Sequence, residues 1–270
     1  MEVAIGGDVL FAEGPRWDAA LRRLLWIDIQ AGALHVLDPD SGGDRAIPLG
    51  SPVGANAPMR SGEVLVALAD RLAAVDLTNE SVRTLVEIPH GPELRLNDGA
   101  CDPAGRFWVG SIAFDETPGV AALYRYDGAL ERMLSGVTIS NGLGWTADGQ
   151  TMYFVDSLTY RIDVFDFDVA TGAISGRRQF ASIDPADGIP DGLALDDDGG
   201  VWIALFGGGA VRRYDADGRL DRIVDVPAEK VTACCFGGDD GRSLYVTTAA
   251  AVFVTDVGIS GPPAQPFHVA

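Results

Sequence analysis

Short apolar and aromatic runs recur along the chain, each bounded by aspartate, glycine or proline. Phe107–Val109, Tyr153–Val155 and Val201–Leu205 are such runs. A second run usually follows a first: Leu34–Leu37, Leu72–Val75, Leu123–Tyr126, Ile162–Phe167, Val211–Tyr214 and Val252–Val254. Paired short runs between turn-forming clusters predict strands. No stretch combines helical spacing with caps, so helix is expected to be a minor component. The turn ahead of each first run repeats as well: Asp102-Pro-Ala-Gly105, Thr146-Ala-Asp-Gly149, Asp196-Asp-Asp-Gly199. Aspartate bonds its own backbone in such turns, and glycine accepts a positive φ.

These turns set a period. Asp18-Ala-Ala-Leu21 reads the same way with its glycine lost, and Met59-Arg-Ser-Gly62 and Gly238-Asp-Asp-Gly241 are weaker copies. Positions 21, 62, 105, 149, 199 and 241 lie 41 to 50 residues apart. Six units of that length predict an all-β six-bladed β-propeller with four-stranded blades. Residues 1–270 then form one domain. The segment Gly50–Pro58 looks like a break but keeps the period, and no linker or low-complexity stretch interrupts it. Ring closure predicts that the N- and C-terminal segments meet.

One phase of the repeat is polar. Glu13, Asn97, Asn141 and Asp191 each stand eight residues before the turn position of their copy. Taken singly, Glu13 reads as a surface carboxylate and the other three as turn residues. Blades stacked around an axis place equivalent positions in a ring, and two carboxylates with two amides suit a hard divalent cation. The remaining copies carry Gly54 and Ala233 at this phase, small residues expected to leave room for water or substrate.

Composition removes other function classes. Net charge is -19, from 20 basic and 39 acidic residues, which argues against a nucleic-acid partner. No run approaches the ~20 apolar residues of a membrane span, and the start lacks a basic, apolar leader pattern. The expectation is a cytoplasmic protein with no membrane partner, monomeric or weakly self-associating. Cys101, Cys234 and Cys235 form neither a disulfide framework nor a zinc-thiolate pattern and read as core fillers. His35, His90 and His268 are scattered, and no Gly-x-Ser-x-Gly supports a serine nucleophile.

Several segments carry a resemblance. Ala12-Glu13-Gly14-Pro15-Arg16-Trp17, Arg95-Leu96-Asn97-Asp98-Gly99, Ser140-Asn141-Gly142-Leu143, Pro190-Asp191-Gly192-Leu193 and Phe236–Thr248 occur in order. Together they resemble the family of senescence marker protein 30 (regucalcin), gluconolactonase and luciferin-regenerating enzyme. The resemblance implies a six-bladed propeller with one divalent metal at the mouth of its channel. It implies Glu13, Asn141 and Asp191 as metal ligands. Asn97 would contact substrate or a water of the metal, Arg95 would bind substrate, and Asp115 stands where some members place a substrate-contacting glutamate.

The implied chemistry is metal-dependent opening of a sugar lactone to the aldonic acid. Oxygen ligands favour Ca²⁺, with Zn²⁺, Mg²⁺, Mn²⁺ or Fe²⁺ as competitors. Asp191 is the expected general base and Asp98 the second candidate. Arg95 and Asn97 are expected to hold substrate oxygens. Phosphotriester hydrolysis on the same metal site and a non-enzymatic binding propeller remain as alternatives.

Overall fold

The computed structural model describes residues 1–7 and 9–268. These form twenty-four strands, numbered β1 to β24 in chain order, and two short 3-10 turns at Ser157–Thr159 and Pro185–Asp187. The strands make six antiparallel four-stranded sheets. The first strands of the six blades are β2 (Ala12–Asp18), β6 (Val53–Pro58), β10 (Leu94–Cys101), β14 (Ser140–Trp145), β18 (Ile189–Leu195) and β22 (Val231–Gly237). Each packs against the next, and β22 packs against β2, so they ring a common axis. The six-bladed propeller expected from the repeat is the fold. Gly50–Pro58, which looked like a break, includes the inner strand β6.

Ring closure joins the chain's two ends. Strand β1 (Glu2–Ile5) is the outermost strand of the last blade, paired antiparallel to β24 (Val252–Asp256). Completing one blade from both ends of the chain leaves no open seam between first and last units. The segment after β24 then crosses the lower end of the channel. Gly261 N bonds Gly241 O, Ala264 N bonds Trp17 O, and Phe267 N bonds Pro58 O.

The repeated turn is a buried lock. Gly62, Gly105, Gly149, Gly199 and Gly241 all have positive φ, between 67° and 86°. In the copy without glycine, Arg22 takes the left-handed conformation at φ 52°. Asp102 Oδ1 accepts from Ala104 N and Arg106 N, while its Oδ2 accepts from Arg106 Nε at 2.6 Å and Trp108 Nε1 at 2.9 Å. Asp196 Oδ2 likewise accepts from Trp202 Nε1 at 2.7 Å and Arg213 Nε at 2.6 Å. The recurring Asp and Trp, six residues apart, are thus one hydrogen-bonded unit tying the turn to the blade core. Asp102 is fully buried, so Asp102→Ala strands the Arg106 guanidinium and the Trp108 N–H. The expected cost is about 3–5 kcal/mol, read as a lower midpoint in urea unfolding. An unchanged midpoint would show that this lock contributes nothing net.

Candidate metal and substrate site

All six inner strands share a backbone irregularity at one level. Cross-strand register slips between Glu13 and Arg16, Val53 and Ala55, Leu96 and Gly99, Ser140 and Leu143, Pro190 and Leu193, and Val231 and Ala233. A bulge adds a residue to one strand and re-aims its side chains. Glu13, Asn97, Asn141 and Asp191 lie within or beside these slips, so the phase seen in the sequence is a shared bulge around the axis. They are strand residues, not turn residues. All four are less than a tenth exposed.

Glycines after these residues let the strands close up. A Cβ on Gly142 would stand 2.8 Å from Asp191 O and 2.9 Å from Leu193 N, and one on Gly192 would overlap Ala233. Gly54 differs from the expectation that it leaves room for water or substrate. Its added Cβ would lie 2.5 Å from Leu96 O and 2.7 Å from Asn97 Cα. Backbone fills that space, because β10 passes directly against β6.

A hydrogen-bonded chain orients the amides. Arg95 Nη1 donates to Asn97 Oδ1 at 2.8 Å and to Leu96 O at 3.0 Å. Asn97 Nδ2 donates to Asn141 Oδ1 at 2.7 Å and to Ser140 O at 2.9 Å. Asn141 Nδ2 donates to Ser157 Oγ at 2.8 Å. Each amide therefore has its nitrogen turned towards its neighbour, and Asn141 keeps a second lone pair on Oδ1. Below them, Arg16 Nη2 reaches Asp98 Oδ1 at 3.1 Å and Gly99 O at 2.8 Å.

The charges are unbalanced. Three buried carboxylates, Glu13, Asp98 and Asp191, share the region with two guanidinium groups, Arg16 and Arg95. Burial, and then the charge of Asp98, pushes the Glu13 carboxyl up to about 8. Burial, then Glu13 and Asp98, holds Asp191 well above the usual carboxylate range. Asp98 is also raised by burial, against the opposing pull of Arg16 and the Gly99 N–H. Burial lowers Arg95, whose charge neighbours are Glu13, Asp191 and Glu116. Among the described residues Glu13 and Asp191 form no salt bridge.

This donor set fits a hard cation: two buried carboxylates with no paired charge, beside an amide oxygen of fixed orientation. Among the described residues no three or more His, Cys, Asp or Glu cluster to hold an ion. The candidate set depends instead on amide oxygens, which is why it is legible only through the repeat.

Asp115 stands apart from this cluster. It is exposed in the turn after β11 (Phe107–Ala113), and its Oδ1 accepts from Thr117 N at 3.1 Å and Thr117 Oγ1 at 2.8 Å. The adjacent Glu116, at φ 56°, is the acid whose charge reaches Arg95. Sequence reasoning passed over Ser157, which orients Asn141, and Asn56, whose Nδ2 donates to Gly14 O at 2.6 Å. Neither sits at the repeat phase that marks the ring.

Two cavities flank the channel. One of about 250 Å³ is lined by Phe11, Ile29, Gln30, Pro52, Arg95 and Phe114, on the same side as the ring. The larger, about 410 Å³, is walled by Leu143, Leu193, Phe236 and the crossing segment Pro262–Gln265. None of the four ring residues lines either cavity; the smaller one meets the ring through Arg95, whose Nη1 donates to Asn97 Oδ1. The three cysteines are buried and free, as expected of core fillers, and burial pushes their thiols up, Cys235 to about 12. No helix among the described residues is long and apolar enough to cross a membrane.

Comparisons with known proteins agree with the fold. Residues 11–250 match the family described as SMP-30/Gluconolactonase/LRE-like region. A regucalcin of Danio rerio is 37% identical over 242 residues, covering 88% of this chain and 82% of the relative. YvrE of Bacillus subtilis, provisionally named a sugar lactone lactonase, is 36% identical over 244 residues, covering 89% and 84%. The solved structure of a regucalcin from Agrobacterium tumefaciens, described as a calcium-binding protein, superposes with a TM-score of 0.95 at 27% identity, covering 99% of this chain and 97% of that one. The propeller, the buried polar ring and these matches together place the chain in the SMP-30/gluconolactonase/LRE-like family.

Proposed function

We propose that the protein opens a sugar lactone to its aldonic acid at one divalent cation held by Glu13, Asn141 and Asp191. One observation carries this reading: two buried carboxylates, neither paired with a cationic side chain, stand at one level of the channel beside an oriented amide oxygen. Family membership supports lactone hydrolysis in general, and the calcium-binding relative favours Ca²⁺ ahead of Zn²⁺, Mg²⁺, Mn²⁺ or Fe²⁺. A cation bound there supplies Lewis acidity at the lactone carbonyl and makes water a better nucleophile.

The side chains supply position and proton transfer. Water attacks the carbonyl carbon, a new C–O bond forms, and the ring C–O bond breaks. Asp191 takes the proton from the attacking water and returns it to the departing ring oxygen, giving a hydroxy acid. Asp98 is a poorer base, because its Oδ1 already accepts from Gly99 N and Arg16. Arg95 and Asn97 hold substrate oxygens by directed hydrogen bonds. Of the two neighbouring acids, Asp115 is held by Thr117, which leaves Glu116 better placed to meet a substrate hydroxyl beside Arg95.

The test is a screen of metal-stripped and cation-reconstituted protein against sugar lactones and phosphotriesters. Cation-dependent turnover of a lactone is expected. Turnover of phosphotriesters alone would move the reading to a different hydrolase, and no turnover of either would leave a binding propeller. Within the screen, Arg95→Ala should slow sugar-lactone hydrolysis ten- to a hundredfold, the size of a lost charge-assisted hydrogen bond of roughly 1.5–3 kcal/mol. Hydrolysis of a small lactone without hydroxyl groups should fall less. Equal losses on both substrates would give Arg95 a purely structural role, through Asn97.

A further inference from the structure

The cavity beside the ring has the wrong walls for a fully hydroxylated sugar. Of its six lining residues, Phe11, Ile29, Pro52 and Phe114 offer only carbon from their side chains. Its polar groups are Gln30 and Arg95. Arg95 is committed, through Nη1, to Asn97 Oδ1 and Leu96 O, and its charge faces Glu13, Asp191 and Glu116. It marks the end of the cavity that meets the ring. Phe114 is 59% exposed at the mouth, an apolar side chain open to an incoming ligand. Phe11 is braced from behind: its ring stacks on Phe206 at 6.2 Å, and Lys230 Nζ lies 5.5 Å from the Phe206 centroid. A wall held in this way is a preformed surface.

A lactone whose carbonyl sits at Glu13, Asn141 and Asp191 and whose substituents meet Arg95 would reach these walls with its remote carbons. A terminal hydroxymethyl group turned towards Phe11, Ile29 and Phe114, away from Arg95, would lose water there and meet carbon on most sides. A methyl group would gain apolar contact without that loss. The volume, about 250 Å³, is small for a drug-sized ligand and ample for one end of a monosaccharide.

We propose, resting on the lactonase reading above, that the preferred substrate is a deoxysugar lactone whose terminal carbon is a methyl group seated against Phe11, Ile29 and Phe114. An apolar pocket discriminates only moderately against an added hydroxyl, so the expected preference is roughly tenfold in kcat/KM.

The experiment uses a matched pair, D-galactono-γ-lactone and its 6-deoxy counterpart, with cation-loaded protein and an indicator of acid release. The deoxy lactone should be favoured by roughly tenfold. Phe114→Asn and Ile29→Asn, each checked for an unchanged melt, should bring the ratio towards one, chiefly by loss on the deoxy substrate. Equal turnover of the pair by the unmodified protein, or preference for the hydroxymethyl lactone, overturns the inference and leaves lactonase activity standing. A ratio that survives both substitutions also overturns it, because the selectivity would then arise elsewhere. No hydrolysis of any lactone with any divalent cation overturns the lactonase reading itself, and this inference with it.

Discussion

Asp191→Asn removes cation-dependent lactone hydrolysis and leaves the propeller folded. Kcat/KM is expected to fall on the order of a thousandfold or more, because one substitution deletes the proposed base and a charged ligand together. The change is nearly isosteric, and it removes a charge that burial and the Glu13 and Asp98 carboxylates already oppose. The cation-free variant should therefore melt no lower than the unmodified protein at pH 8, and the rise in Tm on adding Ca²⁺ should disappear. That pairing separates a ligand from a structural residue, since breaking an ordinary buried contact lowers stability in both conditions. An Asp191→Asn protein with full turnover, or one still stabilised by Ca²⁺, would remove Asp191 from the site. Glu13→Gln should repeat the loss of activity, while Asp115→Asn should leave most of it.

The ring was legible because propellers convert sequence phase into spatial level. Glu13, Asn97, Asn141 and Asp191 share a position in the repeat, and the structure brings them to one level on four of the six inner strands, β10, β14 and β18 side by side and β2 across the ring. The turn glycines, the third-strand runs and the closing blade were legible for the same reason. What stayed hidden depends on contacts outside the period. Arg16 meets Asp98 across 82 residues, and Ser157 orients Asn141 from the start of a 3-10 turn. Gly54 looked like spare room, because a small side chain in a sequence says nothing of how close the next strand passes. Its neighbour is the backbone of Leu96 and Asn97. The shared bulge was also invisible: a single inserted residue leaves the repeat length within its ordinary scatter. The same uncertainty of a residue or two affects loops, which is why the sequence pointed to Asp115 while the acid whose charge reaches Arg95 is the adjacent Glu116.

Without a divalent cation, the protein should lose stability as pH rises from about 4.5 to about 8. Glu13 sets this window: its carboxyl is raised from an ordinary 4.5 to about 8, first by burial and then by Asp98. Between those values the folded chain keeps a proton that the unfolded chain has released. The contribution is fully present below the lower value and lost above the upper one. One such group changes stability by up to about 1.4 kcal/mol for each pH unit in the window. Asp191, also raised, adds to the same slope. Cation binding needs both carboxylates ionised and so releases protons, which makes affinity rise with pH across the same range. Ca²⁺ should accordingly raise Tm little at pH 5 and most at pH 8. Melting curves of EDTA-treated and Ca²⁺-saturated protein at three pH values test the slope. Calorimetry in buffers of different ionisation enthalpy counts the released protons. Glu13→Gln should make the cation-free profile shallower, leaving the slope that Asp191 adds. A flat profile in the unmodified protein, with no proton release, would mean that Glu13 is ionised before any cation arrives and that another group already balances its charge.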